Sequence, residues 1–142
     1  MNIHATAIAL GACGVLIEGP SGSGKTSLAL AAIEKLQNRF AALVADDQSL
    51  IEAANGRLIA TCAPALAGLA EMRGFGIVKI PVIQSVVVDM VIRLIDQTKI
   101  ERLPESKTIT LEGIELPFFE LPARQIAVAL PVLIEIVKNR RV

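Results

Sequence analysis

Short apolar runs punctuated by glycine and proline fill the chain, and their periods predict a mixture of strands and helices. "IHATAIAL" (3–10) and "GVLIE" (14–18) are strand-like runs around a turn at Gly11 to Gly14, which predicts a β-hairpin. "SLALAAIEKLQNRF" (27–40) sets Leu28, Ala32, Leu36 and Phe40 four apart among strong helix formers, which predicts a helix over that stretch. "AALVA" (41–45) is a short uncharged run of the buried-strand kind, so Asp46 and Asp47 should emerge at a strand's C-terminal end. Asn55-Gly56 between two alternating runs predicts a second hairpin. "PALAGLAEM" (64–72) opens on proline and predicts a brief helix, followed by a flexible "RGFG" and a strand-like "IVKIP".

The stretch "VVVDMVIRLID" (86–96) alternates Val88, Met90, Ile92 and Leu94 against Asp89 and Arg93, which favours a strand with a helix as the alternative. "ITLEGIELPFFELP" (109–122) reads as β-structure whose pairing proline limits, and "VLIEIVKNRR" (132–141) reads as a terminal helix starting after Pro131. Basic residues near its end suit a helix C-terminus.

A length of 142 residues with 53% hydrophobic content suits one domain with a single substantial core. Lys plus Arg and Asp plus Glu are 14 each, so no basic surplus points to nucleic acid or to an anionic membrane. Cys13 and Cys62 match no zinc or redox spacing and suit a reducing cytoplasm, where they read as small buried apolar residues. The apolar N-terminus lacks a basic leader region and is interrupted by His4, Gly11 and Gly14, so it reads as strand rather than signal peptide or membrane span.

Chemistry concentrates in "GPSGSGKTS". Gly19, Gly24, Lys25 and Thr26 fit G-x-x-x-x-G-K-[ST], after a strand and at the start of a helix, which is the context a phosphate-binding loop requires. Glycines allow consecutive N–H groups to converge on phosphate oxygens, the helix N-terminus adds partial positive charge, Lys25 can reach the β- and γ-phosphates, and Thr26 offers a hydroxyl to Mg²⁺. Gly19, Pro20, Ser21, Gly22, Ser23, Gly24, Lys25 and Thr26 are the candidate nucleotide-binding residues. A motif of this kind does not choose among kinase, GTPase, motor and sensor. Asp46 and Asp47 after a buried strand resemble a metal-side carboxylate beside a second acid able to handle a proton, while a turn cap is the plain alternative. On its own context His4, solitary in an apolar strand, reads as a structural residue, and Glu71 and Arg73 read as an acid–base pair facing solvent at a helix end.

Taken together, His4 ahead of "GVLIEGPSGSGKT", then "LVADD", "EMRGFGIV" (71–78), "ERL" around Arg102 and "LIEI" near the end resemble the C-terminal kinase domain of HPr kinase/phosphorylase. That family phosphorylates a serine of the phosphocarrier protein HPr and, in many members, removes the phosphate by phosphorolysis. The resemblance spans almost the whole chain. It implies that Gly19 to Thr26 bind the phosphates of ATP, that Lys25 contacts the transferred phosphoryl group, and that Thr26 and Glu71 hold Mg²⁺. It further implies that Asp47 activates the substrate serine with support from Asp46, and that His4 and Arg102 occupy catalytic positions.

Residues 70–79 match the family's signature segment. The family's N-terminal domain is expected to be absent, as in short single-domain proteobacterial forms, and the terminal helix that grips the partner protein is expected to be short. The segment used for phosphorolysis retains only Pro122 and Arg124 in register, which leaves the reverse reaction open.

The expectation is therefore an α/β fold: one domain over residues 1–142 with a phosphate-binding loop and a central mixed sheet. Its expected function is an ATP- and Mg²⁺-dependent serine kinase acting on an HPr-like phosphocarrier. The resemblance implies a homohexamer, and the balanced charge and the cysteine spacing suit a cytoplasmic protein without nucleic-acid or membrane partners. A small-molecule kinase and a non-catalytic ATP sensor are the alternatives.

Overall fold

The computed structural model describes residues 1–36, 39–62, 69–72, 74–79 and 82–139. In chain order the strands are β1 (Asn2–Ile3), β2 (Ala5–Leu10), β3 (Cys13–Glu18), β4 (Ala41–Ala45), β5 (Ser49–Ala54), β6 (Arg57–Thr61), β7 (Leu69–Met72), β8 (Gly76–Lys79), β9 (Ser85–Val88), β10 (Met90–Ile95), β11 (Lys107–Leu111) and β12 (Ile114–Pro122). Helix α1 (Lys25–Lys35) follows β3, helix α2 (Ile126–Asn139) follows β12, and a 3-10 turn at Gln97–Lys99 follows β10.

Among the described residues the strands form three sheets. A six-stranded sheet runs in the order β11-β12-β10-β3-β2-β4, a four-stranded sheet in the order β1-β5-β6-β9, and β7 and β8 form a separate hairpin. The large sheet is mixed. β10 lies parallel to both β3 and β12, whereas β2 is antiparallel to β3 and β4, and β11 to β12. This is the central mixed sheet that the sequence leads one to expect.

Period-two alternation builds the two cores. On one face Ile8, Leu10, Val15 and Ile17 meet Leu28, Ala29 and Ala32 of α1 and Leu133 and Val137 of α2. On the other, Ala5, Ala7, Leu16, Val91 and Phe118 meet Ile51, Leu58, Ala60 and Val88 of the smaller sheet. Helices, large sheet and small sheet are thus three layers, with the C-terminal ends of parallel β3, β10 and β12 free to carry a site.

Several expectations are met and several are corrected. The hairpins of β2 with β3 and β5 with β6 form where expected, the second turning through Asn55 and Gly56 with φ of 52° and 76°. Helix α1 ends five residues before Phe40, which is 58% exposed. There the Phe40 carbonyl instead accepts from Gly11 N at 2.7 Å, steering the chain into β4 beside β2.

Residues 69–72, expected to be helical, are strand β7, while residues 64–68 of that expectation lie outside the described residues. The run 86–96 is two strands in two different sheets. Asp89 breaks it by accepting from Gly14 N through Oδ2 and donating from its own N to Gly14 O, both at 2.8 Å. A Cβ on Gly14 would lie 1.9 Å from the Val87 carbonyl oxygen, so this crossing admits only glycine.

The 109–122 region is one hairpin, β11 with β12, and β12 pairs on its other edge with β10 along its proline-containing length. Helix α2 starts before Pro131 rather than after it. Ala127, whose carbonyl loses its partner at that proline, lies on the exposed side of the helix, where water can replace the missing N–H.

Candidate active site

The loop between β3 and α1 owes its shape to its glycines. Gly22 and Gly24 have φ of 80° and 96°, and Gly24 caps the helix by accepting from Leu28 N at 2.9 Å. Ser23 N donates to Pro20 O at 3.0 Å, closing the turn. Ser23 is itself wholly buried, and a side chain at Gly19 would press within 2.7 Å of its Oγ. A cavity of about 270 Å³ results, lined by Ser21, Gly22, Gly24, Lys25, Thr26, Asp46 and Asp47 among others.

Lys25, the first residue of α1, is 4% exposed. Its ammonium donates to Gly19 O at 2.8 Å and to Pro20 O at 3.3 Å, and sits 3.1 Å from Asp47 Oδ1. His4 Nε2 lies 2.8 Å from that same carboxylate oxygen. Thr26 Oγ1 donates to Asp46 Oδ1 at 2.5 Å. The two adjacent acids therefore divide the work. Asp46 faces the Thr26 hydroxyl, Asp47 joins the Lys25 ammonium and the His4 imidazole, and a φ of 63° at Asp47 lets neighbouring residues serve one cavity.

Partial burial works to raise the Asp47 pKa, but hydrogen bonds from His4 and Lys25, with the charge of both, outweigh it and hold the carboxyl below its ordinary 3.8. Burial, helped by the charge of Asp46, pushes the Cys62 thiol up, which disfavours the thiolate. Neither cysteine is in a disulfide; Cys13 is buried as expected, whereas Cys62 is only partly buried.

Of the residues singled out from sequence, His4, Lys25, Asp46, Asp47 and the Gly19–Thr26 loop converge here. Strand β7 carries Glu71, whose side chain lies outside the described residues, as does Arg73 altogether. Arg102 is exposed in the 101–106 loop and, among the described residues, bonds to none of these groups.

Two features escaped the sequence reading. Thr6 is buried beside the aspartates, accepting from Asp47 N at 3.1 Å. Its signal was present: it is the one hydroxyl in an apolar run, two residues from His4. The other feature is an ion pair at the ends of β3 and β10, where Arg93 Nε donates to Glu18 Oε1 at 2.6 Å while its guanidinium lies 4.8 Å from the Phe118 ring centroid. His4, Glu18, Gly19, Arg93 and Arg124 help line a second cleft of about 590 Å³, so His4 stands between the two openings.

Chemically, the loop can receive a polyanion on backbone N–H groups and a buried ammonium. The hard oxygens of Thr26 and Asp46 can hold a small divalent cation, and Asp47 can take a proton.

A glycine-rich strand–loop–helix on a mixed sheet, with a lysine and two aspartates at its mouth, defines an α/β domain built around a glycine-rich loop. The comparisons with known proteins agree with that class and narrow it. The family model for the HPr Serine kinase C-terminal domain matches residues 1–141. The chain is 30% identical over 134 residues to an HPr kinase/phosphorylase of Clostridium beijerinckii, covering 87% of this chain and 43% of that protein. It is 36% identical over 80 residues to an HPr kinase/phosphorylase of Clostridium tetani, covering 56% of this chain and 25% of that one.

The matches thus span less than half the length of these two relatives. The solved structure of the Hpr(Ser) kinase/phosphatase from Coxiella burnetii is similar with a TM-score of 0.83 at 30% identity, covering 99% of this chain and 96% of that one. The chain belongs to the HPr serine kinase C-terminal domain family.

Proposed function

We propose that this chain is a catalytic domain that uses ATP and Mg²⁺ to phosphorylate a serine of an HPr-like phosphocarrier protein. The observation that carries the reading is the convergence of Lys25 and His4 on Asp47 at the mouth of the glycine loop, at 3.1 and 2.8 Å. Family membership supplies the substrate class.

The residues present fit the implied ligands. The buried ammonium of Lys25 has only two carbonyls and one carboxylate around it in the described site, and triphosphate oxygens suit it. The Thr26 and Asp46 oxygens suit Mg²⁺, with Glu71 as a further ligand by resemblance. When bound, ATP supplies the phosphoryl group and Mg²⁺ neutralises charge on its phosphates.

The chain's own residues then divide the remaining tasks. The loop N–H groups and Lys25 orient and neutralise phosphate. Asp47 takes the proton of the incoming serine hydroxyl, a weak nucleophile until a carboxylate assists it. His4 holds the Asp47 carboxylate through Nε2 and faces the second cleft, the side from which an acceptor protein has room to approach. Phosphate bound beside Lys25 brings negative charge next to Asp47 and competes for the ammonium, so occupancy of the loop raises the basicity of the carboxylate.

By resemblance Arg102 is a further catalytic group, the assembly is a hexamer, and the protein works in the cytoplasm. No helix among the described residues is long and apolar enough to cross a membrane.

Incubation with labelled ATP, Mg²⁺ and purified HPr tests the proposal. Phosphoserine on the carrier is the expected product, and its absence where ATP binds would overturn the reading. Running the same mixture from phosphorylated carrier with inorganic phosphate shows whether the reverse reaction operates.

A further inference from the structure

Strand β2 places a single hydroxyl, Thr6, in an otherwise apolar run, and the residue is wholly buried. A buried hydroxyl is costly unless bonded. Thr6 Oγ1 accepts from Asp47 N at 3.1 Å and donates to Asp46 Oδ1 at 3.4 Å. One side chain thus touches both acids, one through its carboxylate and the other through its backbone.

The register of the sheet explains why that contact exists. Ala7 pairs with Ala45 and Ile8 with Leu43, so Val44 is an extra residue, a β-bulge in β4. Leu43 packs in the helix-side core, while Val44 and Ala45 both pack in the core on the opposite face. Strict alternation from Leu43 would point Asp46 away from α1. The bulge resets the alternation and turns the Asp46 carboxylate toward Thr26 on α1, the side shared by Thr6 and Ile8. Immediately afterwards Asp47 adopts a φ of 63°, a conformation that a side-chain-bearing residue keeps only where its surroundings hold it.

We infer that Thr6 is a positioning residue: its hydroxyl holds the Asp47 backbone in the left-handed conformation and aims the Asp46 carboxylate at Thr26. Both acids then face one cavity. Thr6 acts only through these two residues, and its catalytic consequence rests on the kinase reading proposed above.

Thr6→Val keeps the branched shape and removes the hydroxyl, Thr6→Ser keeps the hydroxyl and removes the methyl, and Thr6→Ala is a second hydroxyl-free variant should the valine protein not fold. Two quantities are read. The first is amide hydrogen exchange at Asp47 in nucleotide-free protein. The second is single-turnover phosphoryl transfer to HPr beside nucleotide affinity without Mg²⁺.

Loss of one hydrogen bond should speed Asp47 exchange about five- to tenfold in the hydroxyl-free variants. Misplaced acids should slow transfer by about ten- to a hundredfold while metal-free nucleotide affinity stays within about twofold. Thr6→Ser should restore both. Unchanged protection of the Asp47 amide in Thr6→Val, or an equal loss in Thr6→Ser, overturns the assignment. Should the wild-type chain transfer no phosphoryl group, the kinase reading fails while the exchange comparison still decides the role of Thr6.

Discussion

Replacing Asp47 by asparagine separates proton transfer from binding. The amide nearly matches the carboxylate in shape and keeps an oxygen that His4 and Lys25 can reach, so the loop has little reason to rearrange. What is lost is charge and basicity. A positioned general base contributes about 10²–10⁴-fold, so single-turnover transfer to HPr should fall by that factor. On the barrier this amounts to roughly 3–5 kcal/mol.

Nucleotide binding should move in the opposite direction. Asp47 lines the same cavity as Lys25 and Thr26, so the substitution removes a negative charge beside the phosphates. Its side chain is 49% exposed. Screening therefore limits the gain to about 1 kcal/mol, a few-fold tightening. Lys25 still donates to the Gly19 and Pro20 carbonyls, which holds the stability loss to about 1 kcal/mol.

The assay uses excess enzyme and labelled ATP, so that chemistry is read apart from product release, with nucleotide affinity measured separately. Transfer within about threefold of wild type in Asp47→Asn would refute the general-base role. A protein that only senses ATP would also show little change in its output.

Lys25→Met should weaken nucleotide binding about ten- to a hundredfold, the worth of a charge-assisted hydrogen bond, and retained affinity in equilibrium binding would contradict the assignment. Gly14→Ala, at the end of β3 away from the glycine loop, should cost about 3 kcal/mol or more in urea unfolding because the new methyl meets fixed backbone at Val87. A midpoint equal to wild type would mean that the crossing relaxes freely. Stability should also depend on pH through Asp47. Its folded pKa lies below 3.8, so its contribution is fully present above that value and drains as pH falls through the folded pKa. Unfolding free energies should therefore converge between wild type and Asp47→Asn under acid, and a gap independent of pH would argue against the linkage.

What the sequence revealed and what it hid follow from the range of the forces involved. The glycine loop, the Asn55-Gly56 turn and the strand ending just before Asp46 are specified by residues within a few positions of each other, and all were legible. The break at Asp89 was not, because the group that fixes it, Gly14, is 75 residues away. The run around it alternates without interruption, and only the approach of two backbones turns one strand into two. Pro131 misled for a related reason. A local rule forbids it inside a helix, yet the burial of Ala129 and Leu133 on the opposite side outweighs one missing hydrogen bond at the surface. For Arg93 the alternation correctly marks a polar position, but its pairing with Glu18 follows from strand register, which the sequence does not state.

The five residues of β4 show most clearly how local irregularity serves the site. A regular strand of this length sends successive side chains to opposite faces, so two adjacent aspartates following it would address different environments. Two departures correct this. An extra residue at Val44 rotates Asp46 onto the helix side, where Thr26 waits, and a left-handed Asp47 folds the next carboxylate back toward Lys25 and His4. Each departure carries a cost of its own, about 1–3 kcal/mol for a left-handed residue with a side chain. That cost lies where the bonds to Thr6, Thr26, His4 and Lys25 are concentrated, and a regular continuation of β4 would avoid it at the expense of the cluster. Strain and polar burial therefore coincide at the acid pair because neither acid reaches its partners without them.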